Sequence, residues 1–182
     1  SSYAIEIGDA GALKLGTITS GTLGDTFGGN GVGFRAQQTT QEAVAHSTLT
    51  TVICDNDSTS GWTYDTRNWY DTSTGKYTPQ IAGYYWIQGH IGWLNDLTDQ
   101  ITYIVGLAKN GTDAASTFIR NTSFQSVTNG GQTSQISDIV YLNGSSDYVL
   151  MNAFHTNGNS RKIYGTSVPN ADSCSFSGFL IR

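Results

Sequence analysis

The chain has 182 residues, 13% of them charged and 12% aromatic, with a formal net charge of -5 and a pI near 4.9. An acidic chain of this kind lacks the cationic footprint of phosphate binding, which excludes nucleic acid as the expected partner. No apolar run approaches the roughly 20 residues that cross a bilayer as a helix, so no membrane partner is expected either. The length suits one well-filled β-domain without a second. Cys54 and Cys174 are too few for a disulfide framework. They read as buried thiols behaving as small hydrophobes, with a single bridge between them left open. The chain begins Ser1-Ser2 rather than Met and shows no charged-then-apolar leader, which reads as a fragment or a processed form.

Residues 1–31 differ from the rest. They are rich in glycine and threonine, with Leu13, Leu15, Ile18, Leu23 and Phe27 set singly among small residues. Glycine at that density opposes a helix, and the short β-branched pieces read as brief strands or an extended arm. Composition alone favours a linker, but the isolated apolar residues give the arm something to bury. The phrase running from Leu15 to Gly24 is similar to segments that precede C-terminal domains in bacteriophage tail and capsid-surface proteins.

From residue 32 onward, no window sustains apolar residues at helical spacing over three turns, so no helix is expected. The pattern predicts strands at 32–37, 49–55, 67–71, 76–79, 83–93, 100–109, 114–120, 134–142, 147–156 and 173–181. Asn-Gly, Asn-Gly-Gly and Asn-Gly-Ser clusters punctuate them as turns. Short strands at this spacing imply an all-β sandwich or barrel.

Two strands carry more than the usual alternation. In 83–93, Tyr84, Trp86, Gln88 and His90 share one face, and Tyr85, Ile87, Ile91 and Trp93 share the other. In 100–109, Ile101, Tyr103, Val105 and Leu107 oppose Ile104 and Ala108. A half-exposed strand alternates apolar with polar, and these do not. The expectation is that one face enters the core and the second is buried by a partner, with Tyr84, Trp86, His90, Ile101, Tyr103 and Val105 as candidate interface residues.

Chemical sites are sparse. His46, His90 and His155 lack metal-ligand spacing. The close acidic pairs, Asp55 with Asp57 and Asp96 with Asp99, suit solvated turns better than a cation site. No strand-turn-helix nucleophile elbow is present, and no marked partner joins Cys54 to a histidine. Asp65 and Asp71 are the best available glycosidase pair, yet they suit hairpin turns. No cofactor, metal or catalytic residue is therefore expected. Four Asn-x-Ser/Thr triplets begin at Asn56, Asn110, Asn121 and Asn143, and they read as turns. The loop Gly61-Trp62-Thr63-Tyr64-Asp65-Thr66-Arg67 is the strongest ligand candidate. Trp62 and Tyr64 can stack on a sugar face while Asp65 and Arg67 hydrogen-bond its hydroxyls; the competing reading folds Trp62 back onto the core or a neighbour. The loop holding Asn157, Arg161 and Lys162 carries the densest positive charge and is the second candidate.

Several ordered motifs carry a family resemblance. Phe34-Arg35-Ala36 opens the first strand, and Asn68 to Gly75 leads into Tyr77-Thr78-Pro79 and Gly83-Tyr84-Tyr85-Trp86. Leu107-Ala108-Lys109-Asn110-Gly111 follows, then Val140 to Val149 with a turn longer than usual, and the chain closes on Phe176-Ser177-Gly178-Phe179-Leu180-Ile181-Arg182. From about residue 32 to the C-terminus this set resembles the globular head shared by complement C1q and tumour necrosis factor. The resemblance implies a ten-stranded jelly-roll β-sandwich assembled as a homotrimer and acting as a non-enzymatic binding module. Some relatives bind calcium near the trimer apex, but the acids here read as turn residues. Glycine 178, between two phenylalanines, is expected to let another backbone or ring approach closely.

Together with the arm, these features give the leading functional expectation. It is a recognition module on a virus particle, at a phage tail-fibre or spike tip, contacting host-surface glycan or protein. The runner-up is a capsid decoration protein whose arm, residues 1–31, grips other virion proteins. The third reading is a secreted recognition or signalling domain, weakened by the absence of a collagen-like Gly-x-y repeat. The expected location is the virion surface or the extracellular space.

Overall fold

The computed structural model describes residues 5–7, 13–15, 31–58, 61–94, 101–111, 117–125, 132–156, 158–167 and 174–181. Within these ranges, residues 5–7, 13–15, 101 and 117–125 are described by backbone alone. The chain divides into two compact units, Ser1–Gly31 and Val32–Arg182. In the first, β1 (Ile5–Ile7) and β2 (Leu13–Leu15) pair antiparallel, Ile5 opposite Leu15.

The second unit is built from two antiparallel sheets, and its described residues contain no helix. One sheet runs β11 (Thr117–Gln125), β10 (Ile101–Lys109), β13 (Val149–His155), β8 (Lys76–Tyr77) and β7 (Tyr70–Asp71), with β5 (Thr50–Thr51) also on β13. The other runs β4 (Glu42–Val44), β14 (Arg161–Ile163), β9 (Ala82–Trp93), β15 (Ser175–Leu180), β3 (Gly33–Gln37) and β6 (Tyr64–Asp65), with β12 (Gln132–Asn143) along the whole of β9. Each expected strand is present, though 49–55 contracts to β5 and 67–71 to β7. β4, β6 and β14 were not expected. Each has only two or three residues, too short to print a period of two on the sequence.

Alternation in β9 builds the core. Tyr85, Ile87, Ile91 and Trp93 are wholly buried against Val105, Met151 and Ala153 of the opposite sheet. The motif aromatics converge there. Phe34 stacks on Tyr77 at 4.1 Å between ring centroids and on Tyr70 at 5.2 Å, and meets Phe176 edge-on at 5.0 Å. Tyr77 in turn meets Tyr85 edge-on. Such pairs add to the large area each ring buries, so the scattered motifs are one aromatic nucleus seen in sequence. Gly178 lies where this nucleus is tightest: a Cβ there would stand 2.9 Å from the Trp86 carbonyl oxygen and 3.1 Å from the Phe34 ring. Both thiols are free and fully buried, and burial pushes each thiol's pKa well up, as for inert packing groups.

The two-faced pattern of β10 has a different cause from the one expected. Tyr103 and Val105 are 1% and 0% exposed and pack inside the single chain, Tyr103 against Trp93 at 4.8 Å. Ile104 and Ala108, on the other face, are buried as well. Neither Tyr103 nor Val105 therefore has surface left to offer a partner, which corrects their assignment as interface residues. The side chain of Ile101 lies outside the described residues.

Candidate recognition surface

The register across β12, β9, β15, β3 and β6 fixes what the outer face of the second sheet displays. Trp86 stands opposite Ile139 on one side and Phe179 on the other, and Tyr84 stands opposite Tyr141. Because side chains alternate between faces, all of these point away from the core. Tyr84 is 60% exposed, Ile139 57%, Phe179 48% and Tyr141 47%. The rings touch one another, Tyr84 with Tyr141 at 5.4 Å and Trp86 with Phe179 at 5.3 Å. Contiguous exposed apolar patches are the kind of surface at which proteins meet partners or ligands.

The next rows of the same face are polar. Gln88 stands between Ser137 and Ser177, and His90 between Gln135 and Ser175. Ser177 lies opposite Arg35, and Arg35 opposite Tyr64 at the margin of the sheet. The Arg35 Nε is buried and has no hydrogen-bond partner among the described residues.

The loop 61–67 enters this margin. Trp62 is exposed, and Tyr64 is half-exposed on the sheet's outer face. Thr63 is buried, its hydroxyl donating to the Ser58 carbonyl. Asp65 is tied into its own turn. Its carboxylate accepts the backbone N–H groups of Arg67 at 3.1 Å and Tyr70 at 2.7 Å, and so shapes the turn. Arg67 is half-buried. The second candidate loop divides differently. Arg161 is 4% exposed within β14 and cannot serve as an open ligand group, whereas Lys162 is exposed. Asn157 lies outside the described residues. Charge density suggested exposure there, but the strand alternation of β14 turns Arg161 inward and Lys162 outward.

Arg161 belongs to a basic cluster at that end of the sandwich. His155 is fully buried, and its Nε2–H donates to the Val44 carbonyl at 2.8 Å. Its ring packs edge-on against Trp93 at 5.9 Å and lies 6.4 Å from His46. Burial, with smaller contributions from Arg161 and His46, holds the His155 pKa below the ordinary histidine value.

At the opposite side a polar clamp joins the two sheets. Lys109 pairs with Asp147 at 2.8 Å and donates to the Tyr141 carbonyl at 2.7 Å. Asn110 donates to Asp147 and accepts from the Tyr148 N–H, while Asp147 accepts the Asn143 N–H. Lys109, first among these donors, and Asn110 hold the Asp147 carboxyl below the usual range. The Asn143 side chain caps the N–H groups of Ser145, Ser146 and Asp147, with Gly144 at a φ of 70°. The Lys-Asn-Gly and Asn-Gly-Ser turns visible in sequence are the two halves of this clamp. Asp71 plays a similar local part: Ser73 and Thr74 hydroxyls hold its pKa at about 2. Neither Asp65 nor Asp71 thus stands free as one of a catalytic pair.

A model of the C1q domain matches residues 34–181. Among solved structures, the globular domain of zebrafish complement 1qA protein is similar with a TM-score of 0.56 and 19% identity, over 82% of this chain and 97% of that one. The Eiger TNF of S. frugiperda is similar with a TM-score of 0.54 and 11% identity, over 84% of this chain and 93% of that one. No curated protein matches the sequence at a significant level.

Proposed function

The chain belongs to the C1q domain family, and from that premise we propose that it is a non-enzymatic, homotrimeric recognition module. The observation that carries the reading is the outer face of β9, β12 and β15. Tyr84, Trp86, Ile139, Tyr141 and Phe179 form an apolar patch that the described residues leave open, and copies of the chain cover it. His90, on the same face, lies within the polar border of that interface. Assembly multiplies each loop threefold at fixed spacing, so weak contacts sum to useful avidity.

Trp62 and Tyr64 are the groups that meet a ligand, a host-surface glycan or glycoprotein. An aromatic face suits the C–H side of a sugar, and neighbouring hydroxyl and amide groups suit its polar rim. Arg67 supplies a donor at the margin and Asp65 holds the loop in shape, while Lys162, on β14 beyond β9, belongs to the second candidate loop. The module works outside the cell. Display on a virus particle, at a tail-fibre tip, rests on the Leu15–Gly24 phrase of the arm, residues 1–31 being the attachment to other virion proteins.

The double variant Trp62→Ala with Tyr64→Ala tests the ligand site on a glycan array and on host cells. Binding is expected to fall at least tenfold with the melting temperature nearly unchanged. Unchanged binding moves the site to another loop, and joint loss of binding and stability makes the rings structural.

A further inference from the structure

We propose that the cleft under the edge of β12 is a socket for Phe179 of the partner subunit, and that Asp138 at its mouth pairs with Arg35 of the partner subunit. The inference rests on the homotrimer reading above and names the second half of its interface. A threefold ring cannot close by laying the aromatic patch on itself, because a self-complementary contact makes a twofold pair. The patch therefore meets a different surface of the next copy. β12 offers one. It is the edge strand of its sheet among the described residues, joined to β9 alone. Buried Ile87, Leu107 and Val149 line a cleft of about 100 Å³ beneath it, with Asp138 and Ile139 exposed at the mouth. Pockets that hold free ligands run to roughly 300–1,000 Å³, so this one suits a single side chain. Ile139 belongs to the patch as well, which makes patch and socket continuous.

Asp138 marks the mouth because it departs from its strand's pattern. Ile136, Val140 and Leu142 turn toward the opposite sheet, and Asp138, opposite Ile87, turns with them. Its carboxylate accepts the N–H of Ile139, the next residue, and among the described residues no cation pairs with it. Lys109, which shares the cleft, is taken by Asp147. Arg35 of the same copy is out of reach. β12 and β3 are three strand spacings apart, about 14 Å, and the two side chains leave opposite faces of the sheet. On the partner's open face, Arg35 lies two residues along β3 from Gly33, which stands opposite Phe179. Phe179 is 48% exposed and Arg35 half-buried. One approach thus brings a ring to the apolar cleft and a guanidinium to the acid beside it. A guanidinium matches a carboxylate at two points, and the ring leaves water as the pair forms.

The experiment follows the mass of the full chain by light scattering down a dilution series. Arg35→Asp and Asp138→Arg, each alone, should raise the concentration at which trimer gives way to single chains by about tenfold or more. Circular dichroism of each variant should match wild type. Arg35→Asp combined with Asp138→Arg rebuilds the pair with its charges exchanged, and should return that concentration to within about threefold of wild type. A second variant locates the ring. Val140 and Phe179 lie on opposite faces of one sheet, so Val140→Cys with Phe179→Cys cannot close a bond within a chain. With oxidised glutathione as the oxidant, the double variant should give covalent dimers and trimers on a denaturing gel, and either single variant only single chains. The native thiols are buried and leave that background clean. A wild-type trimer whose single charge variants dissociate no sooner, whose charge exchange restores nothing, or whose cysteine pair does not link overturns the inference and leaves the homotrimer standing. A wild type with the mass of one chain removes the homotrimer and the socket with it.

Discussion

The two faces of β9 differ by one residue in register and by everything in environment. Tyr85, Ile87, Ile91 and Trp93 are sealed inside the sandwich, whereas Tyr84 is open to solvent and Trp86 only half-covered. Both faces are aromatic, so composition does not separate them. What separates them is the opposite sheet: β10 and β13 cover the inner face completely, and the described residues supply no second layer for the outer one. Aromatic content on a strand thus signals burial without saying who provides it. On the inner face the answer is the chain itself; on the outer face, in the reading proposed above, it is another copy.

The sharpest way to separate the faces is to place a charge on each. Tyr103→Asp would set an unpaired carboxylate within the core, a cost of several kcal/mol, and is expected to abolish folding, seen as loss of the cooperative melt. The paired change Tyr84→Asp with Ile139→Asp should leave each protomer folded by circular dichroism and reduce the mass in light scattering to that of one chain. If the outer pair unfolds the protein too, the two faces are not distinct in kind.

Smaller effects are expected at the two polar clusters that close the sandwich. Lys109→Ala removes the ion pair to Asp147 and the bond to the Tyr141 carbonyl, and should lower unfolding free energy by about 1–3 kcal/mol in a denaturant titration. The Asp147 carboxyl is held below its ordinary value, so its share of stability is present above about pH 3.8 and is lost as pH falls through the lowered value. His155 shifts for the opposite chemical reason but with the same direction of effect. Its folded pKa lies below the unfolded value of about 6.5, so the unfolded chain takes up the proton first. Stability is full above that pH and declines as pH falls below it. His155→Gln should flatten this decline between pH 7 and 5. An unchanged slope in the variant would assign the pH dependence elsewhere.

Much of the fold was legible because its chemistry is local or periodic. Phe34, Tyr77, Tyr85 and Phe176 mark strands that must meet, and Gly178 sits where no side chain fits beside the Trp86 carbonyl. The Asn-Gly turns needed only their own residues to be read. The site was less legible, for physical reasons that differ by residue. Tyr103 and Val105 are apolar on a strand apolar on both sides, and periodicity does not tell a core from an interface. Asp65 was legible as an acid in a loop, but its engagement by the Arg67 and Tyr70 amides depends on how the chain turns back. Arg161 sits beside exposed Lys162 in sequence and is buried because a three-residue strand pairs with β4 there. Arg35 is legible in sequence only as the middle of the Phe34-Arg35-Ala36 strand opening, and its neighbours Tyr64 and Ser177 come from strands that no local pattern joins to it.

The central claim is that the open aromatic face is covered by copies of the same chain. Multi-angle light scattering of the unmodified protein, carried down a dilution series, tests it most directly. The account predicts a mass three times the 19.5 kDa of one chain, held as the protein is diluted. A mass of 19.5 kDa with Tyr84 and Trp86 still open to solvent would contradict it.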